Sequence, residues 1–414
     1  MLPLIRTLLI YIGTLGMAGV GILTLISTLS VREQSYERGE TAQTASISIV
    51  ELPYIEPNMD STASTTLSTR SSPQVETPRK PTIASAPATS KPQPDSVSPP
   101  PTLSDIKDQG VSTTITRISN PYPFAQLSFQ NINERARTAL VNILCTSGNE
   151  SLRPISGSGV IIDSRGVILT NSHIAQYVLL SQDPEINLSC TVRSGSPARP
   201  AWNSEVLYIP QIWIEKHAAD ITNSSPTGTG EYDYALLRIT GSYDTRVPDF
   251  YKGNYPALPL DTREAIGFLN DPMLVIAYPA EFVGSAATQF DLHPVSSITP
   301  ISELLTFDAS TVDLVALKGA AGAQGGSSGG PVVNSWGYVT GIITTTSDGA
   351  TTAERELRAI TISYINRDMM SQTGMGIAAT LNADPQTMAA NFKANNAPAL
   401  TKFLMDQITK RLQH

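Results

Sequence analysis

Hydrophobic and polar residues follow four different patterns along the 414-residue chain. Residues 7–29 form an apolar run without a single charge. Residues 32 to about 104 resemble a tether, and serine, threonine and proline dominate its segment 61–102, which has almost no large apolar residues. Short apolar runs then alternate with glycine, proline, serine and asparagine between about 137 and 365. This alternation is typical of strands joined by turns, whereas the apolar spacing after residue 365 is typical of helices.

The β-rich part of the chain divides into two sets of predicted strands. The first set contains six runs, at 140–146, 157–163, 166–171, 187–193, 204–209 and 233–239. The second set contains seven runs, at 273–278, 287–297, 303–308, 311–317, 330–334, 337–344 and 357–363. A polar, proline-containing crossing at 241–260 separates the two sets. The sequence therefore predicts an all-β fold of two barrels in series, the first at about 137–241 and the second at about 255–365.

Helical patterns flank the strands on both sides. Residues 131–140, "NINERARTAL", predict a short helix just before the first strand. In the C-terminal segment 366–414, apolar residues recur at helical spacing and basic residues occupy the last turn. The recurring residues are Leu400, Phe403, Leu404, Ile408 and Leu412. We expect this stripe to pack on the β-rich domain as a C-terminal helical extension.

The apolar run near the N-terminus predicts membrane association. As a helix it would span roughly 35 Å, enough to cross a bilayer. Two interpretations are open: a cleaved signal peptide, with Thr28 and Ser30 as small residues before the cleavage point, or an uncleaved anchor. The run is longer than the apolar core of a signal peptide, so we favour a transmembrane signal anchor at residues 1–31. The Ser/Thr/Pro-rich residues 32–120 cannot bury enough apolar surface to fold, and we expect a disordered stalk there.

Charge and composition exclude two classes of function. The net charge is −8 and the pI is near 5.1, and no Lys/Arg cluster is longer than the "PRK" at 78–80. A nucleic-acid-binding protein would carry a basic stripe, so we expect no nucleic-acid partner. The two cysteines and four histidines show no zinc-ligand spacing, and we expect neither a metal nor a cofactor.

Candidate chemistry centres on Ser328, within the run "GGSSGGPV" at 325–332. Glycines in series are entropically unfavourable to order, which indicates a backbone that must approach something closely. A serine hydroxyl is a weak nucleophile that needs a neighbouring base, usually histidine, and a carboxylate that orients the histidine. The candidates are His173, at the end of a predicted hairpin, and Asp233, at the start of a predicted strand. Each also has an ordinary interpretation, as a structural histidine and a solvated strand end.

The segments around these three residues, "TNSHIA", "DYALLRI" and "GGSSGGPV", resemble the three catalytic blocks of the trypsin/chymotrypsin-fold serine peptidases, and most closely those of the HtrA (DegP-type) group. The resemblance covers roughly 137–365. It implies two perpendicular six-stranded antiparallel β barrels with the site in the cleft between them. It also implies that Ser328 is the nucleophile, His173 the general base and acid, and Asp233 the orienting carboxylate. The backbone N–H groups of Gly326 and Ser328 would form the oxyanion hole.

The chain departs from this family in two informative ways. Ser327 stands where trypsin itself carries an aspartate that pairs with a new N-terminus after zymogen cleavage. We therefore expect no activation of that kind, as in the HtrA group. Only about 50 residues follow the peptidase domain at 121–365, so we expect no PDZ-like domain.

The same resemblance assigns a substrate pocket to the residues before the nucleophile and to a later strand. The residues assigned to this pocket are Gly322, Ala323, Thr344, Thr345 and Thr346. Because glycine, and no carboxylate, stands six residues ahead of Ser328, the sequence predicts against a lysine or arginine preference. A small or medium apolar side chain is the expected substrate residue before the cleaved bond.

Cys145 and Cys190 fall in the first and fourth predicted strands of the first barrel. These strands are neighbours in a closed barrel of the topology that the resemblance implies, and a disulfide is feasible if the Cα atoms lie within about 7 Å. Two buried free thiols are the alternative. Two cysteines in barrel strands fit an oxidising compartment, which would place the N-terminus inside the cell and the peptidase domain outside it.

Together these observations predict a single-pass, membrane-anchored serine endopeptidase that is exported to the extracytoplasmic side. It would hydrolyse peptide bonds of protein or peptide substrates through a Ser-His-Asp triad and an acyl-enzyme intermediate. Two alternatives stay open: a catalytically silent binding module on the same scaffold, and a hydrolase that acts on esters.

Overall fold

The structure, a computed structural model, describes residues 120–148, 152–223, 228–246, 248–264, 266–281, 285–307, 311–318, 325–346 and 356–412. The predicted anchor at 1–31 lies outside these residues, and so does the predicted stalk except for its last residue. Among the helices of the described ranges, none combines the length and apolar character needed to cross a bilayer.

Twelve strands in the described ranges form two closed antiparallel barrels of six strands each, as predicted. The strands of the first barrel are β1 (Leu140–Ser147), β2 (Ile155–Asp163), β3 (Val167–Thr170), β4 (Leu188–Ser194), β5 (Arg199–Tyr208) and β6 (Ala235–Ser242). Their order around the barrel is β1-β2-β3-β6-β5-β4. The strands of the second barrel are β7 (Pro272–Ala277), β8 (Val295–Leu305), β9 (Leu314–Lys318), β10 (Pro331–Val333), β11 (Val339–Thr346) and β12 (Glu356–Thr361). Their order is β10-β11-β12-β9-β8-β7.

Helices lie before, between and after these strands. They are α1 (Phe129–Ala139), α2 (Ser172–Ser181), α3 (Gln211–His217) with a following 3-10 turn (Ala218–Thr222), α4 (Ser285–Phe290), α5 (Ile362–Thr373), α6 (Ile377–Thr380), α7 (Pro385–Asn395) and α8 (Ala397–Leu412). The predicted helix before the first strand is present as α1. Its N-cap is Ser128, whose hydroxyl accepts a hydrogen bond from the Asn131 amide, which satisfies one of the unpaired donors of the first turn.

Two predicted strand segments differ from the structure. The residues predicted as a strand at 287–297 first complete α4 and only then enter β8, which also includes the first half of the run predicted at 303–308. The end of α4 is stabilised by buried Arg193 from β4, whose Nη1 donates to the carbonyls of Thr288 and Gln289, each at 2.9 Å. Because that arginine is distant in sequence, the local apolar pattern gave no sign of the helix.

The C-terminal helices begin earlier than predicted, at Ile362. Thr361 caps α5 by accepting a hydrogen bond from the Tyr364 amide at 3.1 Å, so the last strand passes directly into a helix. Of the predicted apolar stripe on α8, Leu400, Leu404 and Ile408 are buried in the core of the first barrel. Phe403 is 37% exposed, and the side chain of Leu412 lies outside the described ones.

The first barrel contains the predicted disulfide, between Cys145 and Cys190. β1 and β4 pair directly and close the barrel, and the two cysteines face each other in the register of that pair. Their Cα atoms are 4.0 Å apart. The bond therefore joins the two strands at which the first barrel closes.

A shared apolar core joins the two barrels. One continuous cluster of buried side chains includes Leu169 and Tyr234 from the first barrel and its edge, and Ile276, Ile342 and Ile360 from the second. Because this cluster spans both barrels, it fixes the position of residues that project from one barrel towards the other.

Candidate active site

The side chains of His173 and Asp233 meet at the edge of the first barrel. His173 is the second residue of α2, and Asp233 lies two residues before β6. His173 Nδ1 is 2.8 Å from Asp233 Oδ2, and the backbone N–H of His173 donates to Asp233 Oδ1 at 3.0 Å. The carboxylate thus contacts the same residue through both of its oxygens, which fixes the orientation of the imidazole and holds a proton on Nδ1.

The four residues at 170–173, at the end of β3 and the start of α2, each form at least one hydrogen bond through the side chain. Thr170 Oγ1 donates to the carbonyl of Ser158 at 2.7 Å, and Asn171 Nδ2 donates to the carbonyl of Asp233 at 2.7 Å. Ser172 Oγ donates to the carbonyl of Tyr234 at 2.7 Å, and His173 follows. The carbonyls of Asp233 and Tyr234 are therefore held by side chains from "TNSH", the segment that also supplies the histidine.

Asp233 is buried, with 5% of its surface exposed. Burial alone raises the pKa of a carboxyl, but attraction to His173, together with hydrogen bonds from His173 and Thr344, outweighs burial and holds the pKa of Asp233 below its usual range. The carboxylate is therefore ionised at neutral pH and stabilises positive charge on the neighbouring imidazole.

Thr344, on β11 of the second barrel, also contacts this carboxylate. Its Oγ1 donates to Asp233 Oδ2 at 2.9 Å, and the residue is 4% exposed. Thr344 was predicted to wall the substrate pocket, and its hydroxyl is directed to Asp233. Of the other predicted pocket residues, Gly322 and Ala323 lie outside the described residues, and Thr345 and Thr346 are described only as backbone of β11.

Ser328 lies in a turn immediately before β10, in the second barrel. Its carbonyl accepts a hydrogen bond from the Ser158 amide of β2 at 2.7 Å. Ser158 Oγ donates to the carbonyl of Gly326 at 2.8 Å and accepts from the Tyr278 amide at 2.9 Å. One residue of the first barrel therefore holds the serine turn at two points.

No hydrogen bond joins Ser328 Oγ to the imidazole of His173 within the described part of the chain. Ser158 connects the two segments. Its amide donates to the Ser328 carbonyl, and its carbonyl accepts from Thr170, which lies three residues before His173. In enzymes without bound substrate, contacts between nucleophile and base are often long and tighten only in the complex.

The glycines around Ser328 allow a close approach between the two barrels. A Cβ added to Gly329 would lie 2.0 Å from the Ser158 carbonyl oxygen and 2.6 Å from Thr170 Oγ1, and the residue has φ of +84°. Gly326 has φ of +92°, and an added Cβ would lie 2.8 Å from the Ala280 nitrogen. Both positions require glycine for conformation and for space.

Two amide donors on this turn stay open. Neither the N–H of Gly326 nor that of Ser328 donates a hydrogen bond to any atom of the described residues. These are the two groups predicted to form the oxyanion hole.

The direction of the Gly326 N–H is set by the segment after β7. The Gly325 carbonyl accepts from the amides of Ala280 and Glu281, at 2.7 and 3.1 Å, and the Gly325 amide donates to Glu281 Oε2 at 2.8 Å. The Gly325 carbonyl and the Gly326 N–H belong to one planar trans peptide and point in opposite directions. Fixing the carbonyl therefore fixes the donor.

Two positioning residues escaped the sequence analysis. The only signal for Ser158 was its place between two glycines in "SGSG" at 156–159. For Glu281, 47 positions before Ser328, the sequence offered none. Both act through contacts between distant segments.

A comparison with protein families gives a match. Residues 157–342 match the family model described as "Trypsin-like peptidase domain". The match includes all three predicted catalytic residues, and the two six-stranded barrels are consistent with the chymotrypsin fold. The resemblance to trypsin-like peptidases is therefore confirmed for this part of the chain. No curated protein gives a significant match, and the narrower resemblance to the HtrA group stays a prediction.

Proposed function

With a trypsin-like peptidase domain at residues 157–342 as the premise, we propose that the protein is a serine endopeptidase. Ser328 is the nucleophile, His173 the general base and acid, and Asp233 the carboxylate that orients His173. The observation that carries the proposal is the double contact between His173 and Asp233, through Nδ1 and through the backbone amide. This contact leaves Nε2 as the ring nitrogen that can accept a proton.

The reaction follows from these roles. Ser328 Oγ attacks the peptide carbonyl carbon while its proton passes to His173 Nε2, and the carbonyl oxygen becomes an oxyanion that accepts from the Gly326 and Ser328 amides. The proton on Nε2 then moves to the departing amine as the C–N bond breaks, which leaves an acyl-enzyme. A water molecule then gives a proton to Nε2 as it attacks the ester carbonyl. That proton passes from Nε2 to Ser328 Oγ as the acyl C–O bond breaks, which releases the carboxylic acid and restores the serine.

Asp233 stabilises the protonated imidazole that forms during this reaction. The ionised carboxylate accepts Nδ1–H throughout and stays ionised itself. The hydroxyl of Thr344 and the amide of His173 keep both carboxylate oxygens in place. Little reorganisation is therefore needed when positive charge develops on the ring.

We further propose that the enzyme is exported and anchored in the membrane, with its peptidase domain on the extracytoplasmic side. The apolar run at 7–29 supports the anchor. The disulfide between Cys145 and Cys190 supports an oxidising compartment. Protease treatment of intact cells expressing the full chain tests the topology. The proposal predicts digestion of the peptidase domain from outside, and a protected domain contradicts it.

A fluorophosphonate probe tests the catalytic proposal, because it labels only an activated serine. The full chain is expected to react, and Ser328→Ala is expected to lose both labelling and casein cleavage. Ser327→Ala is the matched control, since its buried hydroxyl is adjacent in sequence but has no role in the mechanism. Loss of labelling in Ser327→Ala alone, or labelling of Ser328→Ala, would contradict the assignment.

The same assay separates the alternatives. A folded protein that is never labelled is a binding module on a peptidase scaffold. A protein that is labelled and hydrolyses esters, but cleaves no peptide, is an esterase. Cleavage of unmodified protein at internal bonds supports the endopeptidase.

A further inference from the structure

One buried arginine of the second barrel has no role in the mechanism above. Arg358 lies on β12 and is 3% exposed. Its Nη2 is 3.4 Å from Glu356 Oε2, a long contact for an ion pair. Its Nε and Nη1 atoms are buried and have no hydrogen-bond partner among the described residues. Most of the donor capacity of this guanidinium is therefore unused.

Arg193, a second buried arginine among the described residues, has a structural role. Its Nε donates to Asn142 Oδ1 at 2.8 Å, and its Nη1 donates to two carbonyls at the end of α4. Only its Nη2 has no partner. Arg193 thus holds protein groups together, whereas the polar contact of Arg358 within the described residues is with a carboxylate two residues away on the same strand.

The position of Arg358 follows from strand register. β12 pairs with β11, and Arg358 is the partner of Thr345. The flanking residues Leu357 and Ala359 face the interior of the second barrel. Because side chains alternate along a strand, Arg358 projects from the opposite face. Ile360 shares that face and is buried in the core between the two barrels.

This face of the sheet continues to the candidate site. The register of β11 against β12 shifts between Ile343 and Thr345, so Thr344 is the extra residue of a bulge opposite Arg358. Thr344 donates to Asp233 Oδ2. The strand segment at 344–346 was predicted to wall the substrate pocket. Arg358 therefore lies beside the segment that a substrate residue next to the cleaved bond would contact.

We propose that Arg358 is a specificity-determining residue that binds a carboxylate side chain, glutamate or aspartate, immediately before the cleaved bond. This inference rests on the proposed peptidase function. A carboxylate suits the site because it offers charge as well as acceptors in the planar geometry that a guanidinium fork matches. The apolar preference expected from the sequence considered only the residues before Ser328 and the strand at 341–347, and it did not include β12.

Glu356 makes the proposal sharply testable, because it competes with the substrate for Arg358. Removing the arginine and removing the glutamate should change specificity in opposite directions. If the two residues were only a structural ion pair, breaking it from either side would have the same kind of effect.

The experiment uses a set of internally quenched peptides that differ only in the residue before the cleaved bond: Glu, Gln, Leu or Lys. The readout is the ratio of kcat/KM values for Glu and Leu, which is insensitive to the active fraction of each preparation. The wild type is expected to favour Glu over Gln and over Leu. Arg358→Met, which keeps much of the side-chain length, should lower the Glu/Leu ratio by about 100-fold. Glu356→Gln should raise it several-fold.

Each outcome decides a different statement. A wild type that is labelled at Ser328 but prefers Leu over Glu overturns the inference and leaves the proposed function standing. The same holds if Arg358→Met and Glu356→Gln shift the ratio in the same direction. If Arg358→Met fails to fold, the wild-type profile and the Glu356→Gln ratio still decide. Absence of both labelling and cleavage overturns the proposed function, and the inference with it.

Discussion

The two barrels contribute to the site in opposite ways. The first barrel supplies a histidine and a carboxylate whose polar contacts are nearly complete: Asp233 accepts three hydrogen bonds from His173 and Thr344. The second barrel supplies a serine turn on which the amide donors of Gly326 and Ser328 are open. The open groups are those that a substrate carbonyl would satisfy. The difference separates what the fold completes by itself from what it leaves for a ligand.

The turn is nevertheless held as firmly as the histidine. Its carbonyls are all engaged: Ser158 binds those of Gly326 and Ser328, residues 280 and 281 bind that of Gly325, and the Gly330 amide binds that of Ser327. In planar peptides, a fixed carbonyl leaves the neighbouring amide fixed as well. A site can thus be rigid and still expose its donors.

A substitution that breaks the contact between His173 and Asp233 should have the largest effect on catalysis. Asp233→Asn places an amide NH₂ where His173 Nδ1–H now donates, so the imidazole is held in the wrong tautomer. We expect kcat/KM to fall by about 10⁴-fold with the fold retained. Steady-state peptide hydrolysis and circular dichroism measure the two properties.

A second His–Asp contact in the first barrel provides the control for this substitution. His217 Nδ1 lies 3.1 Å from Asp220 Oδ2, and neither residue has a role in the proposed mechanism. Asp220→Asn is expected to leave kcat/KM within about twofold. Equal losses of kcat/KM in Asp233→Asn and Asp220→Asn would contradict the assignment of Asp233, because loss of either His–Asp contact would then lower activity.

A substitution that disrupts the close contact between the serine turn and β2 should have the next largest effect on catalysis. A Cβ in Gly329→Ala would lie 2.0 Å from the Ser158 carbonyl oxygen, so the serine turn must move away from β2. We expect kcat/KM to fall by about 100-fold, since a misplacement near 1 Å has that order of cost. The free energy of unfolding should fall as well, as measured by urea denaturation.

Gly374→Ala is the control that separates the effect of backbone strain from the effect of this steric clash. Gly374 ends α5 with φ of +76°, similar to Gly329, but an added Cβ would meet nothing within 4 Å. It should cost about 1 kcal/mol in unfolding free energy and leave catalysis intact. Retained activity in Gly329→Ala would mean that the turn does not need its contact with β2.

A finer test concerns Glu281, a positioning residue for the Gly326 donor. Glu281→Ala removes the acceptor of the Gly325 amide, and we expect kcat to fall about tenfold with KM little changed. Glu281→Gln keeps an oxygen at the same place and should restore most of kcat. If the glutamine variant is as impaired as the alanine variant, the charge of Glu281 matters and not its hydrogen bond.

The sequence predicted both barrels and the candidate triad, and it did not predict several residues that position the site, for a physical reason. The triad candidates His173 and Asp233 stand next to regularly paired strands: "TNSH" at 170–173 begins at the end of β3, and β3 pairs with β6, the strand that follows Asp233. The strand pattern predicted both barrels and, with the resemblance, the facing cysteines. The predictions missed α4, Ser158, Glu281 and Arg358. These features depend on single contacts between segments distant in the chain, which no local periodicity encodes.

The smallest effect on catalysis is expected from the disulfide, although its effect on stability is large. Cys145 and Cys190 are separated by 45 residues, and their bond restricts the unfolded chain, so Cys145→Ala/Cys190→Ala should lower the unfolding free energy by about 2–4 kcal/mol. The bond joins β1 to β4, while His173 and Asp233 are held from α2 and the start of β6. We therefore expect kcat/KM, measured well below the unfolding transition, to change by less than about twofold. Single Cys190→Ala, which also breaks the bond, should match the double variant in stability. A tenfold loss of activity in a folded double variant would mean that closure of the first barrel at β1 and β4 governs the geometry of His173 and Asp233.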